Sequence, residues 1–197
     1  MRRIAQEHRL KWAIAGRSQD RLSQLANKVG ALSRRSLAGM LCILTCPWRA
    51  QIVADGFAGP DDIVLCNIDD EGSLITAFRS AKLVLNCTGP YRFLGETCVR
   101  AALAAGTHIM DISGEPQYME SMFLKYHRDA ESKGILVLNA CAFDSVPADL
   151  GALFTARQFK TEAHCNAIES FLQIHAGPEG MRGHYTTYEV SDSAAAF

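Results

Sequence analysis

From residue 62 to residue 141 the chain alternates short, almost uniformly apolar runs with longer segments in which apolar residues recur every three to four positions. The apolar runs are "DIVLCNI", "LVLNC", "HIMDI" and "ILVLNAC", and between them stand "DEGSLITAFRSA", "ETCVRAALAAG" and "PQYMESMFLKYHRDAESKG". A run of five to seven residues that is apolar throughout fits a strand buried on both faces, and the three-to-four spacing is that of an amphipathic helix. Strands separated by helices are joined by crossovers and run parallel, with helices covering the sheet. The expected fold class is therefore α/β, a doubly wound, mostly parallel sheet.

The same reading extends outward. "WAIAG" (12–16) predicts a short strand, and "DRLSQLANKVG" a helix with Leu22, Leu25, Ala26 and Val29 on one face and Gly30 as its cap. In the longest helix, Tyr118, Met119, Met122, Phe123, Tyr126 and Ala130 form an apolar stripe, with Pro116 in the first turn and Gly134 at the end. "PADLGALFTARQF" predicts a further helix opening on Pro147. Residues 31–60 hold Gly39, Pro47, Gly56, Gly59 and Pro60 with no period, and are expected to be irregular. "AIESFLQIH" puts Ile168, Leu172 and Ile174 on one face and Glu169, Gln173 and His175 on the other, which predicts an antiparallel strand beginning another sheet. Two domains are expected: residues 1–160, and residues 161–197 as the start of a second α+β domain.

A chain of 197 residues is long enough for one sizeable core plus part of another. A composition 48% apolar and 21% charged, with net charge −1, is that of a soluble globular protein and carries no nucleic-acid footprint. The seven cysteines are odd in number, and none has the spacing of structural zinc pairs; free thiols in apolar segments favour a reducing, intracellular compartment. "MRRIAQEHRLKW" lacks the apolar segment of a secretory signal. Leu37 to Thr45 is about half the length a spanning helix needs, so it reads as a core or surface-docking segment. His108, His127 and His175 fall in different elements with no shared spacing, so no metal site is expected.

In a parallel sheet the residues just after each strand gather along one edge, where ligands bind. Four such junctions are rich in small and polar residues: "AGRS" (15–18), "NCTGPYRFLGE" (86–96), "DISGEP" (111–116) and "CAFDSVPAD" (141–149). Each ends in a helix start, whose free backbone N–H groups and positive dipole end suit an anion. Asn86, Thr88 and Gly89 are candidates for contact with a ligand's polar backbone; the alternative is a plain turn at Gly89-Pro90, with Tyr91 and Phe93 filling core space. Arg17, helped by Ser18, stands where the adenosine ribose of a dinucleotide would lie, and an arginine there suits the 2′-phosphate of NADP where an acid would suit NAD. A solvated strand-end arginine is the alternative. Asp111, Glu115, Asp144 and Ser145 are either site groups or helix caps.

Taken together, "WAIAGRS", "VLNCTGPYRFLGE", "DISGEPQYM" and "FDSVPADLG" resemble the saccharopine dehydrogenase-like oxidoreductases, and the likeness runs over most of residues 10–180, including "ESFLQIHAGPEG". The resemblance implies a Rossmann domain using NADP, with NAD as the alternative, and a second α+β domain. It also implies a small-molecule or lipid-like substrate, and association with membranes, lipid droplets and lipid metabolism. By position, Arg17 and Ser18 would meet the adenosine phosphate. Asn86, Thr88, Gly89 and Pro90 would line the pyrophosphate and nicotinamide side, and Tyr91, Arg92, Asp144 and Ser145 the substrate cleft.

Two features depart from the family pattern. No glycine-rich phosphate loop occurs in the sequence, and the strand that carries it in the family has no counterpart before "WAIAG"; a missing central strand would leave sheet edges unpaired and invite association with another copy. Ala142 stands where the family carries glycine before "FDS", and "YEVSDSAAAF" stops soon after the first strand of the second domain, so the chain reads as a shortened form. Two functions follow as expectations: hydride transfer with NADP(H), or a non-catalytic scaffold or membrane-surface module of the same lineage that uses the apolar run Leu37 to Leu44.

Overall fold

The computed structural model describes residues 12–29, 40–43, 62–159, 164–173 and 175. Six strands form one parallel sheet: β1 (Trp12–Gly16), β2 (Met40–Ile43), β3 (Asp62–Leu65), β4 (Leu83–Asn86), β5 (His108–Asp111) and β6 (Val137–Leu138), in the order β3-β1-β2-β4-β5-β6. The helices are α1 (Gln19–Val29), α2 (Glu71–Arg79), α3 (Tyr91–Ala105), α4 (Pro116–Lys133) and α5 (Ser145–Ala156).

Strand alternation sorts the core. Ala13, Ala15, Val84 and Ile109 pack on one face with Leu74, Ala77 and Phe78 of α2 and Cys98, Ala101 and Ala102 of α3. Ile14 points the other way, onto Leu22 and Ala26 of α1. Alanines at the sheet and on α3 let the layers approach closely, while Phe78 and Leu74, wholly removed from water, each contribute roughly 2 kcal/mol by apolar burial. Beside α3, α4 adds Tyr118, Met122 and Ala130 to a second cluster with Tyr91, Val99 and Leu103.

The helix boundaries have local causes. Asp70 caps α2 by accepting the N–H of Ser73 at 3.2 Å. At the far ends of α3 and α4 the chain turns through Gly106 (φ 77°) and Gly134 (φ 64°), left-handed conformations that glycine adopts without strain. Surface pairs fasten the layer: Arg100 to Glu71 at 2.7 Å joins α3 to α2, and Lys125 and Tyr126 both reach Glu96 to join α4 to α3.

Several expectations change. Residues 31–60 were expected to be irregular, yet Met40–Ile43 is a strand between β1 and β4, paired with both. Met40–Ile43 therefore lies inside the sheet, while the rest of the run Leu37 to Leu44 lies outside the described residues; the centre of the sheet is filled, and the unpaired inner edges expected from a missing strand are not there. Four apolar residues with one β-branched member are enough when both neighbouring strands supply hydrogen-bond partners. Helix α3 starts at Tyr91, five residues before the expected "ETCVRAALAAG", which shortens the loop after β4 to four residues. Likewise α5 opens at Ser145, with Asp144 as cap, before Pro147. Residues 164–173 form no strand, although "AIESFLQIH" alternates; a strand needs a partner, and here Phe171 stands 92% exposed. Phe123, expected in the apolar stripe of α4, is 62% exposed. The expected Gly30 cap and the rest of 31–60 lie outside the described residues.

The sheet order matches that of dinucleotide-binding sheets, 3-2-1-4-5-6, with β1 and β3 in places 2 and 3 and β2 in place 1. Connections β1 to β2 and β4 to β5 step in the same direction across the sheet, but α1 and α3 lie on opposite faces.

Candidate functional site

Because all six strands are parallel, their C-terminal ends share one edge. Registers Ile43 to Asn86 and Asn86 to Asp111 set the ends of β2, β4 and β5 side by side, and β6 follows. Three of the four polar junctions are therefore neighbours. The fourth, carrying Arg17 and Ser18, leaves β1 on the far side of β2.

The loop after β4 is built from the inside. Asn86 and Thr88 have no solvent exposure. Asn86 Oδ1 accepts the Thr88 N–H at 3.0 Å, a local turn that bends the chain away from the strand. Asn86 Nδ2 and Thr88 Oγ1 have no hydrogen-bond partner, a cost the fold normally avoids and a feature that suits an incoming polar ligand. Gly89 and Pro90, half-buried and joined by a cis peptide bond, complete the loop.

Tyr91 is not at a cleft surface. Its ring is buried against Tyr118, with centroids 5.6 Å apart, and its hydroxyl donates to the carbonyl of Asn86 at 2.8 Å. Burial pushes its phenol far above the usual value, with the thiol of Cys87 and the carboxylate of Asp111 adding to the effect. Tyr91 is a strut of the loop, which is the reason it leaves the expected substrate set. Arg92, by contrast, is exposed, with its guanidinium 4.6 Å from the centre of the Phe93 ring.

The start of α3 is also not the free anion site expected of it. Both oxygens of Glu115 accept backbone N–H groups there, from Tyr91 and from Arg92, each at 2.7 Å. Glu115 is itself 3% exposed and lies 24 residues further along the chain. It caps α3 and makes no side-chain cap on its own helix α4.

Asp111 gathers the remaining loops. Its Oδ1 accepts the N–H and hydroxyl of Ser113 at 3.0 and 2.7 Å and the N–H of Ala140 at 3.1 Å. Its Oδ2 accepts the Tyr118 hydroxyl at 3.0 Å and the Asn139 amide at 2.7 Å. The turn after β6 is held in this way with Ala140 in a left-handed conformation, φ 55°, unusual for a residue with a Cβ. Asp144, exposed, accepts the N–H and hydroxyl of Ser145 at 2.9 and 3.3 Å, so both are spent on the start of α5.

At the β1 end, Arg17 is exposed and lies 4.0 Å from Asp69, a solvent-screened pair of small energetic value. Ser18 Oγ accepts the N–H of Arg21 at 3.4 Å at the start of α1. A cleft of about 270 Å³ runs beside Arg17, lined also by Leu65, Cys66, Asn67, Asp70 and Ser73. What sequence reasoning missed is the partnership of Glu115 with α3 and the convergence of Tyr118 and Asn139 on Asp111. The only signal was that polar residues crowd the ends of β4, β5 and β6.

A parallel sheet in this order, with polar loops at its C-terminal edge, defines a Rossmann-type dinucleotide-binding domain. A family model described as "Saccharopine dehydrogenase NADP binding domain" matches residues 49–138. The chain is 40% identical over 185 residues to the saccharopine dehydrogenase-like oxidoreductase of Mus musculus, a match that covers 93% of this chain and 38% of that protein. It is 36% identical over 180 residues to the "Lipid droplet localized protein" of Caenorhabditis elegans, covering 91% of this chain and 37% of that protein. Among solved structures, apo saccharopine dehydrogenase (L-Glu forming) from Saccharomyces cerevisiae is 18% identical, with a TM-score of 0.45, covering 75% of this chain and 31% of that one. The chain belongs to the saccharopine dehydrogenase-like oxidoreductase family, and it spans well under half the length of the mouse and nematode relatives it matches.

Proposed function

We propose that the C-terminal edge of this sheet binds NADP(H) for hydride transfer to or from a small or lipid-like substrate. The observation that carries the reading is the pair of buried, unpartnered atoms Asn86 Nδ2 and Thr88 Oγ1 at the end of β4, beside the point where the strand order reverses. They fit a cofactor's polar groups, so the family's cofactor suits the residues present. Asn86, Thr88, Gly89 and Pro90 would hold its nicotinamide side, and Arg17 and Ser18 its adenosine 2′-phosphate. Arg92, Asp144 and Ser145 would border the substrate. When bound, the cofactor supplies the hydride carbon; the protein's part is to orient the reactants and exclude water, and no catalytic acid is assigned.

Calorimetric titration of the 197-residue chain with NADPH, and with NADH for comparison, tests the reading. Arg17→Ala should weaken NADPH binding about tenfold and leave NADH binding unchanged, since a charge-assisted phosphate contact is lost. Gly89→Val should abolish both by crowding the loop. Equal affinities in all three proteins would overturn the assignment.

A second reading, a scaffold without redox activity, is favoured by β2. It occupies the place of the phosphate-loop strand, yet the residues after Ile43 are Leu44-Thr45-Cys46-Pro47, with no glycine-rich turn. A folded chain that binds neither dinucleotide would select it. Peripheral contact with a lipid droplet or membrane is the localisation part of the proposal, supported by the name of the nematode relative. Among the described residues no helix is long and apolar enough to cross a membrane. Among the described residues, α5 offers an apolar surface for such contact, where Val146, Leu150, Leu153 and Phe154 are exposed. Flotation with liposomes that disappears on Leu150→Glu would support it; no flotation of the unaltered chain would count against it.

A further inference from the structure

We propose that Glu115 is a positioning residue of this site: it takes the N-terminus of α3 with its own carboxylate, keeps anions away from it, and holds the Asn86–Pro90 loop in its ligand-ready form. The ligand half of this inference rests on the cofactor reading above.

The first four N–H groups of a helix are its anion-binding groups. In α3 the cap residue Pro90 has no N–H, and those of Tyr91, Arg92 and Phe93 are all taken. Tyr91 and Arg92 donate to the two oxygens of Glu115, and Phe93 and Leu94 donate to the carbonyl of Pro90 at 3.2 and 3.1 Å. A phosphate approaching this helix start meets a buried carboxylate in place of free donors.

The carboxylate is also one of two clamps on the loop. At one end the Tyr91 hydroxyl holds the carbonyl of Asn86, and at the other Glu115 holds the N–H of Tyr91. The arm that carries Glu115 is pinned on both sides, by Ser113 to Asp111 before it and by the Met119 N–H to the carbonyl of Glu115 after it. Between the clamps, Asn86 Nδ2 and Thr88 Oγ1 remain unspent. An amide donor and a hydroxyl, with the N–H groups of the adjoining helix start already taken, suit an uncharged polar group at this loop. The anionic part of a ligand must be bound elsewhere along the edge.

Glu115→Gln keeps the shape but leaves only one acceptor oxygen, and Glu115→Ala removes both. Three measurements decide the matter on the full chain. Amide exchange at Tyr91 and Arg92 should be at least about tenfold faster in Glu115→Ala, and faster at one of the two in Glu115→Gln, with Leu74 and Phe78 in α2 unaffected. Inorganic pyrophosphate should bind Glu115→Ala more tightly than the unaltered chain, a gain that a merely structural role would not produce. NADPH should bind Glu115→Gln about tenfold more weakly. Unchanged exchange at Tyr91 and Arg92, or no gain in pyrophosphate binding, would overturn the inference. Failure of the unaltered chain to bind NADPH would instead overturn the cofactor reading, and the exchange and pyrophosphate measurements would still decide the role of Glu115.

Discussion

The ring of Tyr118 lies against the bare Cα of Gly95, so that α3 and α4 touch where α3 has no side chain. A Cβ built on Gly95 would overlap the Tyr118 ring and come within 2.8 Å of its hydroxyl. The same hydroxyl donates to Asp111, so the ring has no room to retreat without breaking that bond. Gly95→Ala should therefore destabilise the fold by about 1–3 kcal/mol, although alanine is the better helix former. Denaturant unfolding checks this. Restored stability in Gly95→Ala combined with Tyr118→Leu would identify the overlap as the cause.

Asp111 is the acceptor on which three segments converge. Asp111→Ala would leave the Tyr118 hydroxyl, the Asn139 amide, the Ser113 groups and the Ala140 N–H without their carboxylate. The expected loss is about 3 kcal/mol or more, because buried donors are then left unsatisfied. Asp111→Asn should recover only part of it, since one amide oxygen cannot replace two carboxylate oxygens. Comparison of the two variants by thermal unfolding separates loss of acceptors from loss of volume.

The strands and helices were legible because their signals are local. "LVLN" and "HIMD" are apolar runs with both faces covered or partly covered, and α4 carries its own proline start and glycine end. The candidate site was legible only as a place. That Asn86, Thr88, Asp111 and Glu115 stand near one edge follows from strand order, but Glu115 reaching back 24 residues to cap α3 has no sequence period, and it moved the start of that helix. Tyr91 was misread for the same reason: its phenol is an internal strut because Asn86 and Tyr118 happen to meet it. β2 was missed because four residues are too few to show a period, and its place depends on two neighbouring strands that close over it.

The thiols of Cys66 and Cys98 are held above their ordinary value of 9.0, to about 11 and about 12, by burial. The neutral thiol is thus favoured in the folded state. Below pH 9 both states are protonated and this contribution is complete; as pH rises above 9 the unfolded thiols ionise first, so stability falls until the folded values are passed. Denaturation midpoints should drop as the pH rises from 9.0, the ordinary thiol value, towards about 11, with a shallower drop in Cys98→Ala. A thiol-directed reagent at neutral pH should leave Cys66 and Cys98 unmodified until the chain is unfolded.

Ala140 holds a left-handed backbone, φ 55°, while its N–H is fixed by Asp111. Glycine adopts that conformation without the Cβ clash, at the cost of a more flexible unfolded chain. Ala140→Gly should therefore be stabilising by about 0.5 kcal/mol, against the usual direction of an alanine-to-glycine change. A destabilised variant would mean that the added freedom of the unfolded chain outweighs the relief at this position.

Thr88 separates structure from function most cleanly. Its hydroxyl is buried with no partner, so Thr88→Val, which keeps the shape and deletes the polar atom, should leave the ligand-free protein equally stable or about 1 kcal/mol more stable. If the hydroxyl is there for the cofactor, the same change should weaken NADPH binding about tenfold while the preference for NADPH over NADH, which the proposal assigns to Arg17, is kept. Paired unfolding and titration measurements on this one variant read both quantities. A loss of stability without loss of affinity would show a hydroxyl working for the fold, and would remove Thr88 from the site.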